Sequence, residues 1–151
     1  MPDYFLEFTA HINVPPGTVY DHLSDPHNFV GLQPLLTHVE AVHFYERDGR
    51  RSVSYDTVEA FRWKDLVLYR NRIRVQTVFT DPPGHFETVV HSFPKITLRV
   101  DYTFTSHDGG TLVREAMYIS CHAWLAKFVT DQAARAQTAL LANLKERLET
   151  A

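Results

Sequence analysis

The strongest constraint on this chain lies between Thr37 and Cys121, where six strand-like segments are divided by short turn-forming links. The segments are 38–46, 52–62, 66–79, 86–93, 96–106 and 111–121. Between them stand Asp48-Gly49, Trp63-Lys64-Asp65, Asp81-Pro82-Pro83-Gly84, Pro94-Lys95 and Asp108-Gly109-Gly110. Parallel neighbours need a long crossover, so links this short dictate an antiparallel meander. Alternation is clearest where Ile96, Leu98, Val100, Tyr102 and Phe104 are interleaved with Thr97, Arg99, Asp101, Thr103 and Thr105. That period of two buries one face and wets the other. In 66–79, Ile73, Val75, Thr77 and Phe79 oppose Arg70, Arg72, Arg74 and Gln76 in the same way.

The flanks complete a single α+β domain over 1–151. Leu6, Phe8, Ala10 and Ile12 alternate with Glu7, Thr9, His11 and Asn13, which predicts a seventh strand ended by Pro15-Pro16-Gly17. Val19 and Leu23 suit a short helix, and Asp25-Pro26 suits the cap and first position of a second one, with Phe29, Leu32 and Leu35 on its apolar side. From 123 to 150 there is no Pro or Gly, and Ala, Leu, Lys, Glu and Gln predominate, so a long helix is expected. Leu125, Phe128, Val129, Gln132, Ala136, Ala139 and Leu140 fall on one face, after which the bulky side drifts to Leu141, Leu144 and Leu148. The middle of that stripe is small or polar, whereas a helix that only plugs a sheet carries large residues there. Either a space lies between helix and sheet, or alanines permit close packing.

Charge and composition exclude several classes. With 15 basic and 18 acidic residues and a net charge of -3, the chain lacks the basic footprint of a nucleic-acid binder. No uncharged apolar run approaches the roughly 18 residues of a membrane span. Cys121 is the one cysteine and cannot form an internal disulfide, and Met1-Pro2-Asp3-Tyr4 lacks the pattern of a signal peptide, so a cytoplasmic protein is expected. Nine histidines raise the question of a metal, but spacing answers it. His38 and His43, five apart on a strand, point to opposite faces, and His85 and His91 are roughly 20 Å apart at about 3.3 Å per residue. No metal-binding spacing, nucleophile elbow or phosphate-binding glycine loop is present, and no cofactor is expected.

The order strand, two short helices, six-strand meander and long helix resembles the helix-grip fold of START-related and birch-pollen-allergen-like proteins (the SRPBCC superfamily). Within it the chain most resembles the polyketide cyclase/dehydrase branch. The matching residues are 12–20 (Ile12-Asn13-Val14-Pro15-Pro16-Gly17-Thr18-Val19-Tyr20), Leu23-Ser24-Asp25-Pro26, Asn28-Phe29, Tyr102-Thr103-Phe104, Gly109-Gly110-Thr111 and His122-Ala123-Trp124-Leu125. The resemblance implies a seven-stranded curved sheet gripping the C-terminal helix, with an apolar ligand cavity between them. The shared motifs are structural punctuation and carry over no catalytic residue.

Chemistry in such a cavity would come from a few inward polar groups. Glu115 shares a face with Val113, Met117 and Ile119, Glu59 shares one with Tyr55, Thr57 and Phe61, and Asn71 shares one with Tyr69, Ile73 and Val75. A desolvated Glu115 or Glu59 is a candidate acid or base, as is His91 if it points inward; an outward position or an arginine partner is the alternative for each. Arg70, Arg72, Arg74 and Arg99 suit an exposed lattice with Asp56, Glu87 and Asp101, or a docking strip for a protein partner. In a meander, alternate links share one end, which gathers Trp63, Phe93, Pro94, His122 and Trp124 at either a cavity mouth or a core cap. The expected ligand wall is Tyr55, Trp63, Asn71, Phe93, Tyr102, Met117, Trp124, Phe128 and Gln132. Three functions compete: carriage of a small hydrophobic molecule, a polyketide cyclase-like enzyme, and an interaction module with a vestigial cavity. A cavity of several hundred Å³ favours the first two, and a filled groove favours the third.

Overall fold

The computed structural model describes residues 3–63 and 66–151, and the side chains of 61–70 lie outside the description. Seven strands form one antiparallel sheet: β1 (Asp3–Ile12), β2 (Leu36–Arg47), β3 (Arg50–Trp63), β4 (Leu66–Asp81), β5 (His85–Ser92), β6 (Ile96–His107) and β7 (Gly110–Ser120). Their spatial order is β1-β7-β6-β5-β4-β3-β2, so the six-strand meander is as expected and β1 closes its far edge. β1 and β7 pair without interruption from Asp3 opposite Ser120 to Ile12 opposite Thr111. The strand ends lie within two residues of those expected, because the turns that set them are local.

Helix α1 spans Pro16–Ser24 and buries Val19, Tyr20 and Leu23. The second short helix is a single 3-10 turn over Pro26–Phe29, capped by Asp25, whose carboxylate accepts from the His27 amide at 3.0 Å. A second 3-10 turn, Ala123–Leu125, leads into α2 (Ala126–Glu149), which packs chiefly on β1. β2 departs from simple alternation. A bulge between Glu40 and His43, with Ala41 at φ 55°, shifts the register by a residue. His38 and His43 are therefore both exposed rather than on opposite faces.

Much of the aromatic content fills the closed end of the grip, under α1. Phe86 centres a cluster with ring centroids 4.7 Å from Tyr102, 5.5 Å from Phe104 and 5.7 Å from Tyr20. On the outer face, Arg74 pairs with Asp56 at 3.0 Å, Arg72 pairs with Glu40, and the Arg99 guanidinium lies 4.5 Å over the Tyr118 ring. The lattice reading holds for Arg72 and Arg74, whereas Arg99 rests on an aromatic ring instead of an acidic neighbour. Arg70 lies outside the described side chains.

Candidate ligand-binding cavity

Between the inner face of the sheet and α2 lies a cavity of about 460 Å³. The strands contribute Tyr55, Thr57, Glu59, Ile73, Val75, Val90, Val100 and Met117, each of inward parity. The helix contributes Phe128, Val129, Gln132, Ala133, Ala136, Gln137 and Leu140. The small central stripe of α2 therefore faces open space. Bulk returns at Leu140, Leu141 and Leu144, all buried, which seal the far end.

A third wall comes from the segment between the first 3-10 turn and β2, which supplies Phe29, Gln33, Leu35 and Leu36. Side chains from α2 hold this irregular strap. Arg147 donates from Nη1 to the Asn28 carbonyl at 2.6 Å and to His22 Nε2 at 3.1 Å, and from Nη2 to the Val30 carbonyl at 3.0 Å. Asn143 donates to the Leu32 carbonyl at 2.8 Å. Gly31, at φ +88°, lets the backbone wrap the guanidinium, since a Cβ there would stand 2.9 Å from Arg147 Nη2. His22 accepts from a cation, which requires its neutral form. Burial, then the Arg147 charge, lowers its pKa, against an opposing pull from Asp25.

Polar groups on the wall are few and ordered. Gln33 Oε1 accepts from the Leu35 and Leu36 amides at 2.7 and 2.9 Å, which fixes the amide so that Nε2 donates to Glu59 Oε1 at 2.8 Å. Burial raises the Glu59 pKa and the Gln33 hydrogen bond opposes that rise. Asn71 donates to Ser92 Oγ at 3.0 Å. Tyr55 and Tyr102 are buried on the wall, and desolvation raises both phenol pKa values. Gln137 Oε1 is buried with no hydrogen-bond partner among the described residues.

Most of the expected wall is brought together: Tyr55, Asn71, Phe93, Tyr102, Met117, Phe128 and Gln132 all line the cavity, as does Glu59. Phe93 and Phe128 are 78% and 58% exposed and form an aromatic rim where the meander's 93–95 link meets the start of α2. The side chain of Trp63 lies outside the described residues. Three expectations are corrected. His91 is exposed on the outer face, opposite Arg74 and Thr97, because β5 turns Phe86, Thr88, Val90 and Ser92 inward. Trp124 is 78% exposed and off the wall, because the 3-10 turn rotates it outward to stack on His122, with ring centroids 6.4 Å apart. Glu115 has the inward parity expected but does not reach the cavity. It is fully buried beside Tyr102, with both carboxyl oxygens unpartnered among the described residues, and burial pushes its pKa up to about 8.

Sequence reasoning missed Gln33 and Gln137. Gln33 sits in a strap with no periodicity, and Gln137 lies at the edge of a helical face wider than the Leu and Ala stripe. Ala133, also missed, lies on that stripe. Cys121 is buried, and burial raises its thiol pKa, the opposite of an activated nucleophile. Among the described residues no cluster of His, Cys, Asp and Glu could hold a metal ion, and no helix is long and apolar enough to cross a membrane.

Comparison with known proteins gives the same fold. The family described as "Polyketide cyclase / dehydrase and lipid transport" matches residues 6–149. The Zhui aromatase/cyclase from Streptomyces sp. R1128 superposes with a TM-score of 0.76 at 14% identity, covering 98% of this chain and 94% of that one. TTHA0849 from Thermus thermophilus gives 0.74 at 17% identity, covering 99% and 98%. A START superfamily protein from Mycobacterium smegmatis gives 0.74 at 14% identity, covering 97% of both chains. No curated protein matches the sequence.

Proposed function

Since the chain belongs to the polyketide cyclase/dehydrase and lipid transport family, we propose that it binds and carries a small hydrophobic molecule between its sheet and α2. The candidates are a lipid, a quinone, or a polyketide- or steroid-like ring system. The observation that carries this reading is the cavity itself, about 460 Å³ and walled mainly by apolar side chains with a few placed polar groups. That is the size and character of a small-molecule site, in which apolar walls supply affinity and polar groups supply orientation. Native mass spectrometry after mild purification tests it: a co-purified apolar mass is expected. Ala136→Phe, which fills the middle of the cavity, should abolish binding of 1-anilinonaphthalene-8-sulfonate. A ligand-free chain that binds no such dye would overturn the proposal.

One observation favours a second reading, a cyclase-like enzyme. Glu59 is a desolvated carboxyl on the wall, oriented by Gln33, and Tyr102 lies on the same wall. In an aldol closure, Glu59 would take the α-proton, the carbanion would add to a ketone carbonyl, and the protonated Glu59 would return its proton to the alkoxide. His91 has no place in this scheme, and Glu115 stands behind the wall. Glu59→Gln should abolish turnover of a poly-β-ketone thioester, and retained turnover would dismiss the enzyme. The docking-strip reading loses support, because Arg72 and Arg74 are already engaged by Glu40 and Asp56. A cytoplasmic location remains part of the proposal.

A further inference from the structure

The cavity wall is one-sided in charge. Among the described residues that line it there is no lysine, arginine or histidine, and Glu59 is the one carboxyl. Cations on the neighbouring elements are engaged elsewhere: Arg72 by Glu40, Arg74 by Asp56, Arg147 by the strap carbonyls of Asn28 and Val30, and Lys127 by Asp131. The other polar groups of the wall are neutral, among them the phenols of Tyr55 and Tyr102 and the amides of Gln33 and Gln132. An anionic head group brought inside meets a low-dielectric wall without a counter-charge, and a charge buried in that way is costly.

Glu59 is also an acceptor of fixed direction. The Leu35 and Leu36 amides hold Gln33 Oε1, so Gln33 can turn only Nε2 to Glu59, and it takes Oε1 of that carboxyl. Among the described residues this is the one hydrogen bond that Glu59 makes. The half-buried side chain lines the cavity with its second oxygen still able to accept. A hydroxyl suits that oxygen, a second carboxylate or a phosphate is repelled by it, and an ether offers it no proton.

We infer that the carried molecule is uncharged and presents an alcoholic or phenolic hydroxyl to Glu59, and that the cavity rejects carboxylate and phosphate head groups. This rests on the carriage reading above and narrows it. The hydroxyl donates a charge-assisted hydrogen bond to the second oxygen of Glu59, and the apolar wall takes the rest of the molecule. An anionic amphiphile keeps its water only by leaving its head at the exposed rim of Phe93 and Phe128. The same geometry makes the preference reversible. In Glu59→Gln the new amide must turn its oxygen to Gln33 Nε2, because Gln33 is held by two backbone amides, and its N–H groups then face the ligand. An acceptor becomes a donor, and the negative charge is gone.

The test is displacement of N-phenyl-1-naphthylamine, an uncharged dye, by matched probes on two scaffolds at neutral pH. These are dodecan-1-ol with its methyl ether and dodecanoate, and 4-phenylphenol with its methyl ether and biphenyl-4-carboxylate. On at least one scaffold the hydroxyl probe should bind at least about tenfold more tightly than both relatives, the effect of one charge-assisted hydrogen bond. An indifferent apolar wall would instead favour the ether, which is the more apolar molecule. Glu59→Gln should bring hydroxyl and ether within about threefold of each other and tighten the carboxylate by at least about threefold, with dye affinity kept within about threefold. Should that variant not fold, the wild-type comparison decides by itself. An ether or a carboxylate that binds as tightly as the hydroxyl on both scaffolds, or a preference that Glu59→Gln leaves in place, overturns this inference and leaves carriage standing. Failure of this dye, of 1-anilinonaphthalene-8-sulfonate and of every probe to bind overturns carriage itself.

Discussion

Replacing Glu115, buried behind the cavity wall, by glutamine should flatten the pH dependence of stability. Glu115 has no exposure and, among the described residues, no partner for either oxygen, and its folded-state pKa is pushed up to about 8 by burial alone, from an ordinary 4.5. The folded protein therefore keeps a proton that the unfolded chain has released. The contribution of this group is fully present below pH 4.5 and is lost progressively as pH rises towards about 8. Each pH unit in that window costs about 1.4 kcal/mol, so between pH 5 and pH 8 the wild type should lose roughly 4 kcal/mol through this one carboxyl. That is a large share of the roughly 5–15 kcal/mol that holds a domain folded. Glutamine keeps the shape and has no proton to lose. The assay is urea unfolding of both proteins at unit steps from pH 5 to pH 8. Subtracting the two profiles removes every other titrating group. The difference, variant minus wild type, should climb with pH and level off near pH 8. Parallel profiles would refute the reasoning and mean that Glu115 finds a partner or water when ionised.

Three further outcomes follow from the strap and the rim. Arg147→Met removes three hydrogen bonds to His22, Asn28 and Val30 and should lower stability by about 2 kcal/mol. Hydrogen exchange of the 28–33 amides should then accelerate while β6 and β7 are unchanged; unaltered exchange would show that the strap is held elsewhere. The His22 ring, followed by NMR, should titrate below its ordinary 6.5 in the wild type and move back towards it in Arg147→Met. Because that pKa is depressed by folding, the stability it carries is present above 6.5 and lost as pH falls through the folded value, so acid should loosen the strap. Phe128→Ala should weaken dye binding severalfold, whereas Trp124→Ala should leave it within about twofold, since only Phe128 lines the cavity. Equal losses would return Trp124 to the wall.

The meander was legible because its determinants are short-range. Asp108-Gly109-Gly110 can only be a tight turn, and the alternation in 96–106 states its own inward face. β5 shows where that logic stops. Val89 and Val90 are adjacent and both apolar, so His91 could have faced either way until pairing with β4 and β6 decided it. β2 misled differently: one bulged residue at Ala41 reversed the parity of everything beyond it. Gln33 had no visible signal, because its role depends on Glu59, far away in the chain and brought near by the strap.

By itself the sequence determined which side chains of β3, β4, β6 and β7 point towards the helix, since period and turn chemistry are properties of neighbouring residues. It also determined that the middle of α2 would be small or polar. Which inward residues meet open space was decided only by tertiary structure. Glu115 and Glu59 carry the same chemistry and the same inward parity, yet one is walled into the core and the other lines the cavity. The difference is whether other side chains or open space stand against the carboxyl. That packing is set by side chains from every element around the cavity, and no local stretch of the chain encodes it.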